Sequence, residues 1–303
     1  MEIIYTASPY ETYHEEINKM PSVSGMRLNT ISQISEPLTN LISRLDSKIG
    51  ENKLWIDLKG RQLRIIDKKR TPYHIELTLN HKLTADLPLK VEFNTGTLKG
   101  RITHAYEDKA ILLDCKWDDI RAGQSLNITH PSLKVEKYLS PSCELYIKAA
   151  KKCGVHNYML SFAEEESDVS DVLAIDSAAK IYAKIETKRG VDNFVENVFP
   201  KYKDSIRLIA ARGDLLLHLN SAHDLDDTLT KIIKFDSNAI LASRLLATSK
   251  EKISSQDMSD LFYILRDLKY QSFLIGDGVS LFKPSLIRAI NALNTVNSKV
   301  NEK

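Results

Sequence analysis

Two opposite charges stand two residues apart in the stretch AKIETKRGVDNF, at Lys184 and Glu186. In a strand, side chains at i and i+2 share a face. A lysine and a carboxylate on the inner face of a buried strand are costly unless they pair, bind a metal or take part in a reaction. A second acidic position follows in ARGDL, at Asp214. Two carboxylates with spare coordination positions suit a hard cation, Mg²⁺ or Mn²⁺. A lysine beside such a cation suits a phosphate or an enolate. Gly213 lets the backbone of ARGDL turn tightly, and N–H groups freed by that turn, opening a short helix, would bind a small carboxylate.

These residues need a scaffold that brings distant segments to one place. The apolar runs IIYT, LWIDLKG, HNYMLSF, KIYAKIE, SIRLIAARGDL, NAILASRLL and SFLIGDG read as buried strands, and MRL opens a further one. Amphipathic helices separate most of them, among them ISEPLTNLISRLDSKI, ESDVSDVLAIDSA, VDNFVENVF and SSQDMSDLFYILRDL. A last helix, KPSLIRAINALNTV, is expected to give way to a polar tail, NSKVNEK. This βα rhythm predicts a (β/α)₈ TIM barrel built from residues 1–66 and 136–303. Between them, at 67–135, helical periodicity vanishes. Short alternating segments such as YHIELTL and KAILLDCKW predict an inserted all-β domain, a small β-barrel.

Active sites of such barrels lie at the C-terminal ends of the strands. The polar residues expected there are Arg27, Asn29, Asp57, Lys59, Ser161, Lys184, Glu186, Arg212, Asp214, Ser243 and Asp277. Plainer readings stand beside the chemical ones. Lys184 and Glu186 could form a structural ion pair, and Asn29 and Asp57 could simply bond across neighbouring strands. Arg64 could be a solvated charge at the entry to the inserted domain, and the acidic run AEEESD favours the dipole of the helix it opens.

Composition narrows the classes. The chain of 303 residues is 43% hydrophobic and 27% charged, an ordinary globular balance. A formal net charge of +2 argues against a protein whose main task is to coat nucleic acid. Three widely spaced cysteines, Cys115, Cys143 and Cys153, read as free thiols. The N-terminus has no basic region followed by an apolar run, and no window approaches the ~18 apolar residues of a membrane span. A cytoplasmic protein is expected.

Taken in order, the segments resemble the pyruvate kinase family. GMRLN resembles ARLNFSHG, IDLKGRQLR resembles LDTKGPEIR, and AKIETKRGVDNF resembles SKIENQEGVDNF. IAARGDL resembles MVARGDL, ILASRLL resembles ITATQML, and LIGDG resembles MLSGET. The resemblance implies a barrel of the phosphoenolpyruvate/pyruvate type with the inserted domain as a mobile lid. It implies phosphoryl transfer between phosphoenolpyruvate and a nucleoside diphosphate, with ADP and ATP as the nucleotide pair and pyruvate as the other product. Lys184 and Arg27 then contact the phosphoryl group, and Glu186 and Asp214 hold the divalent metal. Gly213, Asp214 and Ser243 hold the substrate carboxylate, and Arg64 matches an arginine that touches phosphate. Asn29 and Asp57 match half of a K⁺ site, but Ile31 and Leu58 replace its two hydroxyl residues, so K⁺ dependence is not expected. GQSLN stands where the family carries a lysine-rich stretch at the return from the lid. The family's C-terminal regulatory domain has no counterpart, so a tetramer built through it is not expected. Two further readings stay open: a divalent-metal-dependent lyase, decarboxylase or aldolase, acting on a pyruvate-like 2-oxo acid, and a non-catalytic sensor or partner protein.

Overall fold

The computed structural model describes residues 1–32, 34–93, 98–219 and 221–302. Two compact units divide the chain, residues 1–58 with 144–303 and residues 59–143. Among the described residues no helix is long and apolar enough to cross a membrane, and all three cysteines are free thiols.

The first unit is an α/β barrel. Its strands are β1 (Glu2–Thr6), β2 (Val23–Asn29), β3 (Lys53–Leu58), β4 (Asn157–Leu160), β5 (Lys180–Ile185), β6 (Ile206–Ala211), β7 (Ile240–Ala242) and β8 (Ser272–Ile275). Every neighbouring pair is parallel, and β1 pairs with both β2 and β8, so the sheet closes on itself. Parallel strands covered on both faces need near-continuous apolar runs, and IRLIAA of β6 and SFLI of β8 supply them. Helices between the strands turn one stripe to the sheet, as Leu38–Asp46 does with Leu41, Ile42 and Leu45.

Inside the barrel, Trp55 of β3 stacks on Tyr182 of β5 with ring centroids 3.6 Å apart. Strand β4 lies between these two, so the contact crosses the interior. Ile4, Met159, Ile209, Ile240 and Leu274 pack with them. Period-two alternation then aims Asp57, two residues beyond Trp55, and Lys184, two beyond Tyr182, at the same interior, above this aromatic floor.

Three elements depart from the sequence reading. Strand β7 stops at Ala242, because Ser243, Arg244 and Leu246 adopt left-handed backbone, with φ of 69°, 54° and 50°. The segment VDNFVENVF lies in a π-helix, Gly190–Val198, whose wider turn buries Val191, Phe194, Val195 and Val198. The last helix runs on from Lys283 to Asn301, into the segment expected as a polar tail after Val296.

The second unit is all-β. Six antiparallel strands are ordered Leu126–Asn127, Leu89–Phe93, Leu98–Tyr106, Lys109–Leu113, Ile75–Leu79 and Ile65–Arg70. The two outermost strands meet. Leu126 N–H donates to Leu63 C=O (2.9 Å), Ile65 N–H to Gln124 C=O (3.0 Å) and Gly123 N–H to Ile65 C=O (2.8 Å), joining the sheet's edges into a ring. Alternate residues Ile75, Leu77 and Leu79 face a core shared with Val91, Phe93, Ile102 and Leu112. Trp117 packs against this core, and Lys68 Nζ sits 3.9 Å above its ring.

Candidate active site

The C-terminal ends of β2, β3, β4 and β5 bring charged side chains into one buried network. Lys184 Nζ lies 3.0 Å from Glu186 Oε1, donates to Ser161 Oγ at 2.8 Å and stands 3.6 Å from Asp57 Oδ1. Ser161 Oγ donates to Asp57 Oδ1 at 3.0 Å. Arg27 Nη1 reaches Asp57 Oδ2 at 3.2 Å, and Arg27 Nη2 donates to Asp277 Oδ1 at 2.8 Å. Lys184, Glu186 and Asp57 are 7%, 2% and 0% exposed. The strand register explains the convergence: Asn29 is level with Asp57, and Lys184 is level with Ile209 on β6, the strand that leads into Asp214.

Burial works against the Lys184 ammonium, but Asp57 and Glu186 outweigh it and hold its pKa above the usual lysine value. Burial raises the Glu186 carboxyl, Lys184 opposes that rise, and the nearby Asp214 and Asp57 charges add to it. The second Glu186 oxygen accepts a hydrogen bond from Phe162 N–H at 2.6 Å.

Asp214 lies in the short helix Arg212–His218 that follows β6 and is only partly buried. Its carboxylate has no hydrogen bond or ion pair among the described residues. Glu186 and Asp214 are the carboxylates that could hold Mg²⁺ or Mn²⁺, hard cations that take oxygen ligands. Among the described residues no group of three or more His, Cys, Asp or Glu side chains could hold a metal ion.

Gly213 has its place for a steric reason. A Cβ on Gly213 would lie 2.3 Å from Ser243 Oγ, so any side chain here forces that hydroxyl to move. Gly213, Asp214 and Ser243 thus flank one another. The N–H groups of a first helical turn have no partner within the helix.

Asn29 and Asp57 are engaged otherwise than a monovalent-cation site needs. Asn29 Nδ2 donates to Asp277 Oδ2 at 2.8 Å, and both Asp57 oxygens face Arg27, Ser161 or Lys184. Arg64 belongs to the second unit, where its guanidinium donates to Gly123 C=O at 2.6 Å and to the Gln62 side chain. Arg212, expected among the rim charges, turns away from them. It forms a fork to Asp260 at 2.8 and 2.9 Å and donates to the carbonyls of Ser243 and Arg244. Asp277 and Ser161, given no role from sequence, are integral to the network. A separate cleft, lined by Glu11, Tyr13, Lys19, Phe282 and Lys283, contains none of these groups.

Among the described residues, Arg27 Nε of this network has no hydrogen-bond partner. Arg27 and Lys184 are thus buried cationic groups at the strand ends, and Asp214 and Ser243 follow the ends of β6 and β7. No protein-family model matches this chain, and no curated protein matches it.

Proposed function

We propose that the chain is a pyruvate kinase-like phosphotransferase, moving a phosphoryl group between phosphoenolpyruvate and a nucleoside diphosphate. The observation that carries this reading is the buried Lys184–Glu186 pair, 3.0 Å apart, at the strand ends that also bear Arg27 and Asp214. In the transfer, the bond from phosphorus to the enol oxygen breaks and a bond from phosphorus to the terminal oxygen of the diphosphate forms. The enolate left behind takes up a proton at carbon and leaves as pyruvate.

Lys184 places an ammonium against the oxygens of the phosphoryl group, and Arg27 offers its unsatisfied Nε–H to the same anion. Gly213 and Ser243 orient the carboxylate. Glu186 and Asp214 would hold the divalent cation, which neutralises charge on the phosphoryl and substrate oxygens when bound. The second unit, residues 59–143, takes the part of a lid that excludes water.

Phosphorus NMR tests the reading. The protein, Mg²⁺ or Mn²⁺, phosphoenolpyruvate and a panel of nucleoside diphosphates are mixed, with and without K⁺. New nucleoside triphosphate that is absent with Lys184→Ala is the expected result. Bound phosphoenolpyruvate that never exchanges with any nucleotide refutes it.

One observation favours a second reading. Arg27 is already gripped by Asp57 and Asp277, which leaves it less to offer a phosphoryl group. A metal-dependent lyase acting on a pyruvate-like 2-oxo acid would need the same carboxylate and cation positions but no phosphoryl clamp. Turnover of oxaloacetate without nucleotide is its test.

A further inference from the structure

The end of β7 carries an arginine to which sequence analysis gives no role. Past Ala242 the chain enters left-handed backbone at Ser243 and Arg244, conformations that residues with side chains rarely adopt. Such geometry persists only where surrounding structure imposes it, and it clusters at ligand sites.

The imposing group is Arg212. Its Nε donates to Ser243 C=O at 3.3 Å and its Nη2 to Arg244 C=O at 2.8 Å. Asp260 fixes the guanidinium from the other side through both carboxylate oxygens. A mostly buried ion pair thus serves as a staple that holds two carbonyls and sets the handedness of the turn.

The turn aims two side chains at one point. A methyl group placed on Gly213 would meet Ser243 Oγ at 2.3 Å and Arg244 Nε at 3.6 Å. Arg244 is exposed, and its guanidinium makes no hydrogen bond or ion pair with any described residue. Arg27, Arg44, Arg189, Arg207, Arg212 and Arg266 of the same unit all have carboxylate partners. Asp214, on the other side of Gly213, is also unpartnered, yet it and Arg244 do not pair. Each is left open, one for an anion and one for a cation.

We infer that Arg244 is a specificity-determining residue: with Ser243 Oγ, its guanidinium binds the carboxylate of a 2-oxo acid against Gly213, selecting the anion over uncharged analogues. A guanidinium and a hydroxyl together offer the directed, charge-assisted donors that a carboxylate accepts. The inference rests on the part of the proposed function that brings a 2-oxo acid to this rim.

The test is calorimetric titration with pyruvate and with pyruvamide, its uncharged analogue, in the presence of Mg²⁺. Wild type is expected to prefer pyruvate, and Arg244→Gln to lose roughly 10- to 30-fold in pyruvate affinity with pyruvamide binding unchanged. Asp260→Asn, which loosens the staple without touching ligand, should shift the same ratio in the same direction. Equal preference for pyruvate in Arg244→Gln and wild type overturns the inference, as does a wild type that binds neither compound. Phosphoryl transfer by wild type together with an unchanged Arg244→Gln ratio removes this inference and leaves the proposed function standing. Arg244-dependent pyruvate binding without any transfer does the reverse.

Discussion

Asp277 holds Arg27 Nη2 at 2.8 Å through one carboxylate oxygen and Asn29 Nδ2 at 2.8 Å through the other. Its side chain is 41% exposed, so it is an internal anion at the mouth of the site, within reach of solvent. An incoming anion must compete with it for Arg27. Replacing Asp277 with asparagine keeps the shape and removes the charge. Asp277→Asn is expected to bind inorganic phosphate ~3- to 5-fold more tightly and to lose about 0.5–1 kcal/mol of stability, the range of a partly exposed ion pair. Titration of phosphate into the variant reads the first effect. Affinity equal to wild type would mean that Arg27 is not where anions bind.

Lys184 is the ammonium nearest to two buried carboxylates, Asp57 and Glu186. Lys184→Met leaves Glu186 without its cation, while Asp57 keeps Arg27 at 3.2 Å, and breaking a buried pair in this way costs about 3–5 kcal/mol. Adding Glu186→Gln removes the stranded charge, so the double variant should be more stable than the single by at least ~1 kcal/mol. Urea denaturation of the two variants and wild type measures both values. Additive losses would show that the two side chains are not coupled.

Gly213 tolerates no methyl group while Ser243 keeps its hydroxyl. Gly213→Ala is expected to cost ~1–3 kcal/mol from overpacking and to abolish ligand binding at this rim. Without Oγ, the nearest Ser243 atom to the new methyl is its Cβ at 3.5 Å, an ordinary contact. Gly213→Ala combined with Ser243→Ala should therefore recover the thermal stability while binding stays lost. A double variant no more stable than Gly213→Ala sinks the steric explanation.

His14 is fully buried, with Nε2 2.8 Å from Ser8 C=O and Nδ1 3.1 Å from Tyr5 OH. Burial holds its pKa below the usual histidine value of 6.5, outweighing the Ser8 carbonyl, which favours the charged form. The sign follows directly. Below 6.5 the unfolded chain takes up a proton that the folded chain refuses, so stability is present above that value and is lost as pH falls. His14 contributes a slope of at most ~1.4 kcal/mol per pH unit. His81, buried in the second unit, is lowered in the same way and adds a like term there. Denaturation from about pH 7 to about pH 5 should show this slope, and His14→Gln should flatten it. An unchanged slope in the variant would place the effect elsewhere.

The barrel was legible because parallel strands covered on both faces leave a local signature, apolar runs separated by amphipathic helices. Lys184 and Glu186 were legible as one-face neighbours for the same reason: period-two alternation is a property of adjacent residues. What escaped was set by distant partners. Strand β7 reads as continuing through Ser243 and Arg244, and no glycine marks the turn, because its handedness is imposed by Arg212 and Asp260. Arg212 reads as a rim charge from its place in ARGDL, while Asp260, its partner, lies in a later helix with nothing to advertise the pairing. Asp277 reads only as one more polar residue at a strand end, since its hold on Arg27 joins opposite ends of the chain through the closure of β8 on β1. The last helix outran its expected end because NSKVNEK holds no glycine or proline near Val296 to stop it.

The chain has two tryptophans, one in each compact unit: Trp55 on the barrel floor against Tyr182, and Trp117 beneath Lys68. Each unit thereby carries its own native fluorophore. Trp55→Phe leaves emission that reports on the second unit alone, and Trp117→Phe leaves emission from the barrel alone. Unfolding curves of the two variants would resolve whether the units melt together or in sequence, without any label being attached.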